Sequence, residues 1–263
     1  MPDVVRVAVV GKGGSGKSTI AGTLSRLLAR RGHRVLALDS DPMPGLALSL
    51  GLGNYTEPML AGAVEKDLNG RWQLKKGIGG ARAVRQFAIE APDGVRFLQF
   101  GKADELGLGT MFASVNGFGQ VVHRIADDGV LSEWSIVGDL SAGTRQTAYD
   151  WAPYADNYLV VVEPTWQSVL TGRRIVRLAE QRNARRIHLI ASKVAGEEEV
   201  ALIESRMGSR AFASVGIDDA VREADPRRNA LIDHAPDSST VNDIRMIAEK
   251  LGSRSDIDSK LDS

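Results

Sequence analysis

The sequence predicts an α/β protein with a single domain, in which a mostly parallel, twisted sheet carries helices on both of its faces. Three observations lead to this prediction. Strand-like, β-branched segments alternate with amphipathic helical segments, the first such pair encloses a glycine-rich loop, and neither a linker nor an internal repeat divides the 263 residues. Strands that alternate with helices form βαβ units, and these units pair their strands in parallel.

The amino-terminal third gives the clearest pattern. A β-branched strand is expected at 4–10, and it leads directly into glycines. An amphipathic helix is expected at 17–31, with leucines at helical spacing. A second buried strand, RVLALDSDP, ends at Asp39. Together these segments predict one βαβ unit with a loop at its first turn.

The middle of the chain, from 43 to 110, is harder to interpret. Its glycines and short apolar runs predict short elements and loops. The expected elements are a short helix within 45–53, a strand–turn–strand over 83–101 around Asp93-Gly94, a mobile loop over 107–119 and a helix over 120–128.

Regular alternation returns after residue 130. The expected strands are at 134–140, 157–164, 185–194 and 211–215, and the expected helices are at 167–181, 197–207 and 240–251. The last residues, 253–263, are polar, and we expect them to be disordered.

Composition excludes several classes of protein. Lys+Arg and Asp+Glu both number 33, so no global field would attract nucleic acid or an acidic membrane. The chain contains no cysteine, which excludes disulfides and thiolate metal sites within it. Apolar runs are only as long as strands, and the amino terminus does not resemble a secretion signal. We therefore expect a cytoplasmic protein that does not enter membranes.

The stretch GKGGSGKST, 11–19, matches Gly-x-x-x-x-Gly-Lys-Ser between a predicted strand and a predicted helix. Glycines let consecutive backbone N–H groups point at one phosphate, and the helix dipole adds positive potential there. Lys17 would neutralise the β- and γ-phosphates, and the Ser18 hydroxyl would ligate Mg²⁺. The expected nucleotide contacts are Gly11, Lys12, Gly13, Gly14, Ser15, Gly16, Lys17, Ser18 and Thr19.

Lys12 is not needed by an ordinary phosphate-binding loop. It is either a solvated side chain or a group that serves a nucleotide on another subunit. KGGSGKST resembles the deviant Walker A motif of the MinD/ParA-type ATPases, which belong to the wider family of the nitrogenase iron protein. That resemblance implies a P-loop ATPase domain over 1–252 that binds ATP and Mg²⁺ and forms a homodimer in the ATP state. It also implies that Lys12 reaches the partner's phosphates and acts as an arginine finger does.

Acidic residues follow two predicted strands. Asp39 and Asp41 leave the carboxyl end of the second strand, where open parallel sheets bind ligands. The resemblance implies that Asp41 orients the attacking water and that Asp39 lies nearer the Mg²⁺ shell. The alternative is that either acid caps a helix or a turn. In WSIVGDLSAGT, which resembles a Walker B strand and switch loop, Asp139 would hold Mg²⁺ through water and Gly143 would let the loop rearrange.

The preference for adenine or guanine is predicted from the stretch IASKVAG, 190–196. Ser192 and Lys193 are followed by Val and Ala, so this stretch has no acid to accept from the donors of guanine. We therefore expect ATP rather than GTP, with Ser192 and Lys193 lining the adenine pocket. The alternative is an ordinary polar pair at the end of a strand.

Within the family, VVVEPTWQSVLTGRRIVRLAE most resembles the maturation ATPases of nickel-containing carbon monoxide dehydrogenase. Those proteins carry a Cys-x-Cys metal site, whereas this chain has no cysteine, and its histidines (His33, His123, His188 and His234) lack ligand spacing. The client is therefore expected to be another enzyme or complex, a metalloenzyme among the candidates, or the chain is a regulatory relative. A nickel route through thiolates is excluded.

The favoured function is thus a homodimeric ATPase switch with slow, partner-stimulated hydrolysis that presents residues 100–125 to a client. A ParA-like partitioning ATPase that binds DNA is the alternative. It rests on an arginine cluster, Arg173, Arg174, Arg177, Arg182, Arg185 and Arg186. A membrane-cycling ATPase is disfavoured by the acidic tail. A small-molecule kinase or ligase would have no use for Lys12 in trans.

Overall fold

The computed structural model describes residues 3–41, 45–55, 57, 59–101, 107–182, 184–224 and 226–258. The strands are β1 (Arg6–Gly11), β2 (Val35–Asp39), β3 (Val64–Lys66), β4 (Trp72–Leu74), β5 (Ile89–Glu90), β6 (Arg96–Gln99), β7 (Ser135–Asp139), β8 (Asn157–Val162), β9 (Arg186–Val194) and β10 (Ala211–Gly216). The helices are α1 (Lys17–Arg30), α2 (Leu46–Leu50), α3 (Gly80–Phe87), α4 (Gly107–Ala126), α5 (Arg145–Ala148), α6 (Trp166–Gln181), α7 (Glu197–Met207), α8 (Asp219–Ala224), α9 (Leu231–His234) and α10 (Ser239–Asp258).

One sheet forms the centre of the molecule, in the order β10-β9-β8-β1-β7-β2-β6-β5. Its neighbouring strands are parallel except for β5, which pairs antiparallel with β6. A separate antiparallel hairpin consists of β3 and β4. The mostly parallel α/β sheet predicted from the alternating pattern is confirmed.

Successive side chains along each strand point to opposite faces of the sheet, and both faces are buried. On β1, Val7 and Val9 belong to a core cluster with Leu24 of α1, whereas Val10 belongs to a second cluster with Phe118 of α4. The sheet is therefore covered by helices on both sides, as expected of parallel sheets.

Two expectations for the middle of the chain need correction. The predicted strand–turn–strand over 83–101 forms around Asp93-Gly94, where β5 pairs antiparallel with β6, but 83–87 belong to helix α3 rather than to a strand. Ala83 and Val84 of α3 are buried. The expected mobile loop at 107–119 is the first part of helix α4. A Cβ at Gly117 would lie 2.4 Å from the Leu60 carbonyl oxygen. The absence of a side chain there allows close packing, so this glycine does not signal mobility.

The prediction that residues 253–263 are disordered also needs correction. Helix α10 continues to Asp258, so 253–258 are helical rather than disordered. Residues 259–263 lie outside the described residues.

Candidate nucleotide-binding site

The strand order brings three predicted site residues to one edge of the sheet. Gly11 ends β1, Asp39 ends β2 and Asp139 ends β7, which lies between them. Asp39 is the parallel register partner of Asp139. Ligands of open parallel sheets bind in this position, outside the carboxyl ends of the strands.

Glycine geometry shapes the loop between β1 and α1. Gly14 and Gly16 have φ values of 80° and 94°, a region that favours glycine. A Cβ at Gly11 would lie 2.5 Å from the Val161 carbonyl oxygen, so the start of the loop has no room for a side chain. The Ile20 amide makes the first hydrogen bond of α1, to the Gly16 carbonyl oxygen at 3.0 Å. The preceding amides of α1 are therefore available to an anion.

The two lysines of the loop differ in their surroundings. Lys17 is buried, and its Nζ donates to the Lys12 carbonyl oxygen at 3.3 Å. The Lys12 side chain is partly buried, and its ammonium has no hydrogen bond or ion pair within the described part of the chain. Lys17 is thus held inside the loop, whereas the charge of Lys12 has no partner in the part of the chain that the structure describes.

Ser18 and Asp139 form the polar floor of the site. The Ser18 hydroxyl donates to Oδ2 of Asp139 at 2.5 Å. The other carboxyl oxygen of Asp139 is buried and has no hydrogen-bond partner among the described residues. Burial raises the pKa of Asp139 to about 6, although Lys17 and the Ser18 hydrogen bond act to lower it.

A hydroxyl and a carboxylate with an unused oxygen suit Mg²⁺, which binds through one or two protein oxygens, water and substrate phosphates. The described residues include no cluster of three or more His, Cys, Asp or Glu side chains able to cage a metal by themselves. The residues present therefore fit a Mg²⁺ ion that arrives with a nucleotide.

Asp39 and Asp41 occupy different environments. Asp39 is fully buried and accepts from the Asp41 amide and the Leu46 amide, both at 3.0 Å. Burial raises its pKa well above the usual range, and the charge of Asp139 adds to the effect. Asp39 therefore shapes the loop after β2 and caps α2, while Asp41 lies partly exposed at the rim.

Gln146 was missed by sequence reasoning, and it connects the two acidic loops. Its amide nitrogen donates to the Ser40 carbonyl oxygen at 2.7 Å. Its amide oxygen accepts from the Ser40 hydroxyl at 2.6 Å and from the Ser141 amide at 2.9 Å. The switch loop also touches the phosphate loop, because the Gly143 amide donates to the Gly11 carbonyl oxygen at 3.0 Å. A glutamine shortly after the Walker B acid was the only available sequence signal.

A cavity of about 240 Å³ adjoins the phosphate loop at the carboxyl ends of β9 and β10. Ser192 and Lys193 line it, as expected. Their polar groups are directed at the loop, however. The Ser192 hydroxyl donates to the Ser15 carbonyl oxygen at 2.8 Å, and Lys193 donates to the Gly14 carbonyl oxygen and pairs with Glu163 at 3.1 Å. The sequence did not indicate the opposite wall, which includes residues 215–218 and Thr240.

The described contacts of three histidines and of Arg185 are with separate partners and do not form a common site. His33 bonds with Ser135, His188 bonds with Asn157, and His234 lies 3.6 Å from Glu223. Arg185 pairs with Asp156.

Within the described ranges, none of the helices combines the length and the apolarity that crossing a bilayer requires.

The chain belongs to the CobQ/CobB/MinD/ParA nucleotide-binding domain family, whose model matches residues 7–232. The resemblance to MinD/ParA-type proteins is therefore confirmed, and the family binds nucleotides.

Particular relatives agree with this placement. An uncharacterised ATP-binding protein of Methanocaldococcus jannaschii is 28% identical over 82% of this chain and 87% of its own. The carbon monoxide dehydrogenase accessory protein CooC of Rhodospirillum rubrum is 26% identical over 88% of this chain and 91% of its own. The MinD structure from Pyrococcus horikoshii, complexed with Mg-ADP, has a TM-score of 0.72, with 18% identity and coverage of 97% and 98%. That last similarity shows the fold alone.

Proposed function

We propose that this protein is an ATP-binding and ATP-hydrolysing homodimeric switch that acts on a partner enzyme or complex. One observation carries the proposal. The phosphate loop contains one lysine, Lys17, that is held by a hydrogen bond within the loop, and a second, Lys12, whose ammonium has no partner among the described residues. A second unpaired cation beside the first is unfavourable until it meets phosphate.

Binding of the triphosphate would follow from the loop geometry. The amides that precede the first hydrogen bond of α1 would donate to phosphate oxygens, and Lys17 would neutralise their charge. The Ser18 hydroxyl and Asp139 would hold Mg²⁺, which would neutralise charge that develops on the phosphate oxygens. A buried site strengthens each of these interactions, because little water competes with them.

Hydrolysis would use the residues at the rim. Asp41 would accept a hydrogen bond from the attacking water and orient it, as the resemblance implies. Lys12 of the partner subunit would stabilise negative charge on the transferred phosphoryl group. A site that needs a residue from each subunit would be slow in the monomer and complete only in the closed dimer.

The signal to a client would pass through Gln146. This side chain is hydrogen-bonded to the loops after both β2 and β7, so movement of either loop would disturb the other. The same side chain lines a cavity of about 510 Å³ together with Ser40, Ser141, Phe112, Tyr149 and Trp151. These contacts support an output to a client through α4, within the predicted segment 100–125, of which 102–106 lie outside the described residues.

The composition of this chain constrains how it could act on a client. The similarity to CooC supports a maturation or regulatory role, yet this chain has no cysteine. Delivery of a metal to the client through thiolates of this chain is therefore excluded. Hydrolysis stimulated by the client would reset the switch.

DNA binding is the second candidate function, and one observation favours it. Arg173, Arg174 and Arg177 are exposed on α6 and form no ion pair with any described residue. Unpaired arginines on one helix suit phosphate contacts, and such binding weakens steeply with salt. ATP-dependent, salt-sensitive retention on non-specific duplex DNA would favour this reading over a protein client.

Size-exclusion chromatography with light scattering would test the main proposal. The protein should elute as a monomer with ADP and Mg²⁺ and as a dimer with ATP and Mg²⁺. A mass that is the same in both nucleotides would contradict the switch. Isothermal titration with ATP on the same samples separates a failure to dimerise from a failure to bind.

A further inference from the structure

Lys193 has an unusual backbone conformation at the end of β9. In the β9–β10 ladder, Ser192 is the register partner of Val215 and Val194 is that of Gly216, so Lys193 is an extra residue that forms a β-bulge. Its φ is 55°, in the left-handed region that favours glycine. Bulges beside binding sites redirect side chains, and strained residues persist where the surrounding structure holds them. The chain therefore keeps a lysine at a position where glycine would be less strained.

The Lys193 side chain is directed at the phosphate loop. Its ammonium donates to the Gly14 carbonyl oxygen and pairs with Glu163, whose Oε1 lies 3.1 Å away. Glu163 directly follows β8, and its side chain is only 14% exposed. The preceding residue of β9 also contacts the loop, because the Ser192 hydroxyl donates to the Ser15 carbonyl oxygen at 2.8 Å. Two successive residues of β9 thus hold two successive carbonyl groups of the phosphate loop.

These two hydrogen bonds affect the direction in which the loop amides point. Across a trans peptide bond, the carbonyl of one residue and the N–H of the next point in opposite directions. Fixing the Gly14 and Ser15 carbonyls therefore fixes the orientation of the Ser15 and Gly16 amides. Gly14 and Gly16 have φ values of 80° and 94°, and glycine samples many conformations. A loop held in this way would lose less entropy when phosphate binds than a free one.

We propose that Lys193 is a positioning residue for the phosphate loop and that Glu163 holds its ammonium in place. This inference rests on the proposed function, since it concerns the loop that would bind the phosphates of ATP. Lys193 would act through the Gly14 carbonyl, and it would orient the amide that follows without touching the nucleotide. This role differs from the expected one in the adenine pocket, which would act on the base alone.

Isothermal titration with pyrophosphate and with ADP separates these two roles. Pyrophosphate tests the phosphate loop alone, whereas ADP also carries the base. Lys193→Asn removes the ammonium, and asparagine suits a left-handed backbone. The variant should weaken the binding of both ligands about three- to tenfold, because one hydrogen bond that preorganises the loop is lost. A lysine that contacted only the base would leave pyrophosphate affinity unchanged.

Lys250→Gln is the matched control. The Lys250 ammonium also donates to a backbone carbonyl, that of Phe212 at 2.7 Å, but Phe212 lies on β10 rather than in the phosphate loop. This variant removes the same charge and should leave both affinities within about twofold of the wild type.

The melting temperature separates a positioning role from a purely structural one. Nucleotide-free Lys193→Asn should melt at or above the wild-type temperature, because the lysine is half-exposed and asparagine relieves backbone strain. A purely structural lysine would give a lower melting temperature with normal pyrophosphate affinity, and that result would overturn the proposal.

Glu163→Leu separates positioning from simple charge attraction. Removing a negative charge near the loop would, by Coulomb attraction alone, tighten pyrophosphate binding. If Glu163 holds Lys193, the variant should instead weaken that binding about twofold or more. It should cause no further loss when combined with Lys193→Asn, because the two residues act as one unit. Tighter binding in the single variant, or an additional loss in the double variant, would refute the role of the pair.

The outcomes distinguish this inference from the proposed function. If wild-type protein binds both ligands and Lys193→Asn binds pyrophosphate equally well, the positioning role is refuted while the switch stands. If wild-type protein binds neither ADP nor pyrophosphate, the nucleotide switch fails and this inference fails with it.

Discussion

Helix α1 has charged groups near both of its ends, and the two ends differ in how those charges are satisfied. Near its carboxyl end, Arg26 is buried and pairs with Asp93 and with Asp233, the latter at 2.9 Å. Arg30 pairs with the same two acids at 2.8 and 3.2 Å. At its amino end, the Lys12 ammonium has no partner within the described chain, and Asp139 keeps one buried oxygen unused.

Under the proposed function, the difference separates charges that stabilise the fold from charges that would bind a ligand. At the carboxyl end, the acids and arginines complete each other and stabilise the fold. At the amino end, the unused groups are unfavourable until phosphate, metal or a second subunit arrives. Variants at the amino end should therefore reduce activity with little loss of stability, and variants at the carboxyl end should do the reverse.

Lys12→Ala should have the largest effect. We expect ATP turnover to fall by about 10³-fold, the range found when a charge-stabilising finger is removed in trans. ATP affinity of the monomer should remain near that of the wild type. A phosphate-release assay and isothermal titration measure the two quantities, with the exposed Lys76→Ala as control. Unimpaired turnover would contradict the role of Lys12.

Asp41→Ala should lower turnover by about 10²-fold or more, because the attacking water loses the group that orients it. ATP should still bind, so the variant should accumulate as an ATP-bound dimer. Light scattering with ATP and Mg²⁺ would detect it, and the exposed Asp237→Ala should behave as wild type. A monomeric mass with ATP would count against the assignment.

Lys17→Ala should weaken ATP binding by about 10- to 100-fold, because charge-assisted hydrogen bonds to phosphate are lost. Its unfolding free energy should stay close to that of the wild type, since under the proposed function the phosphates of ATP would be the principal charge partner of Lys17. Isothermal titration and chemical denaturation test the two parts. A large loss of stability with normal ATP affinity would reverse the comparison between the ends of α1.

Asp93→Asn should have the smallest effect, and it should act on stability. Arg26 and Arg30 hold the pKa of Asp93 below its usual range, although burial opposes them. The stabilisation is therefore present above the unfolded pKa and is lost as pH falls through the folded value. We expect a loss of about 1 kcal/mol at pH 7, discounted for partial exposure, that shrinks below about pH 4.

Denaturation at several pH values would measure that loss. Asparagine suits the left-handed backbone at Asp93, where φ is 60°, so the variant should introduce no strain. Asp219→Asn is the control, because Asp219 and its partner Arg222 are both more than 80% exposed and lie 3.9 Å apart. A loss at Asp93 that does not change with pH would show that charge is not its cause.

The parts of the site that sequence reasoning found are those whose residues are close in the chain. Gly11, Gly16, Lys17 and Ser18 form one loop, and Asp139 directly ends a strand. Periodicity was also sufficient to predict the mostly parallel sheet, because buried strands and amphipathic helices leave strong local patterns.

The parts that were missed depend on contacts between distant segments. Gln146 bonds to Ser40 across 106 residues, and Thr240 lines the cavity beside the phosphate loop only because the last helix packs there. The glycines of α4 were misread as signs of a loop, and the role of Gly117 depends on its close approach to Leu60, a residue distant in the sequence. Local propensity cannot show such packing.

Mixing the Lys12→Ala and Asp41→Ala variants as nucleotide-free proteins, before ATP is added, would test the trans role of Lys12 most directly. In a mixed dimer, the Lys12→Ala subunit keeps its own Asp41 and receives Lys12 from its partner, so one site is complete. Random pairing would make half of the dimers mixed, and turnover should recover to about a quarter of the wild-type rate. A rate no higher than that of the two variants measured separately would contradict a lysine that acts on the partner's nucleotide.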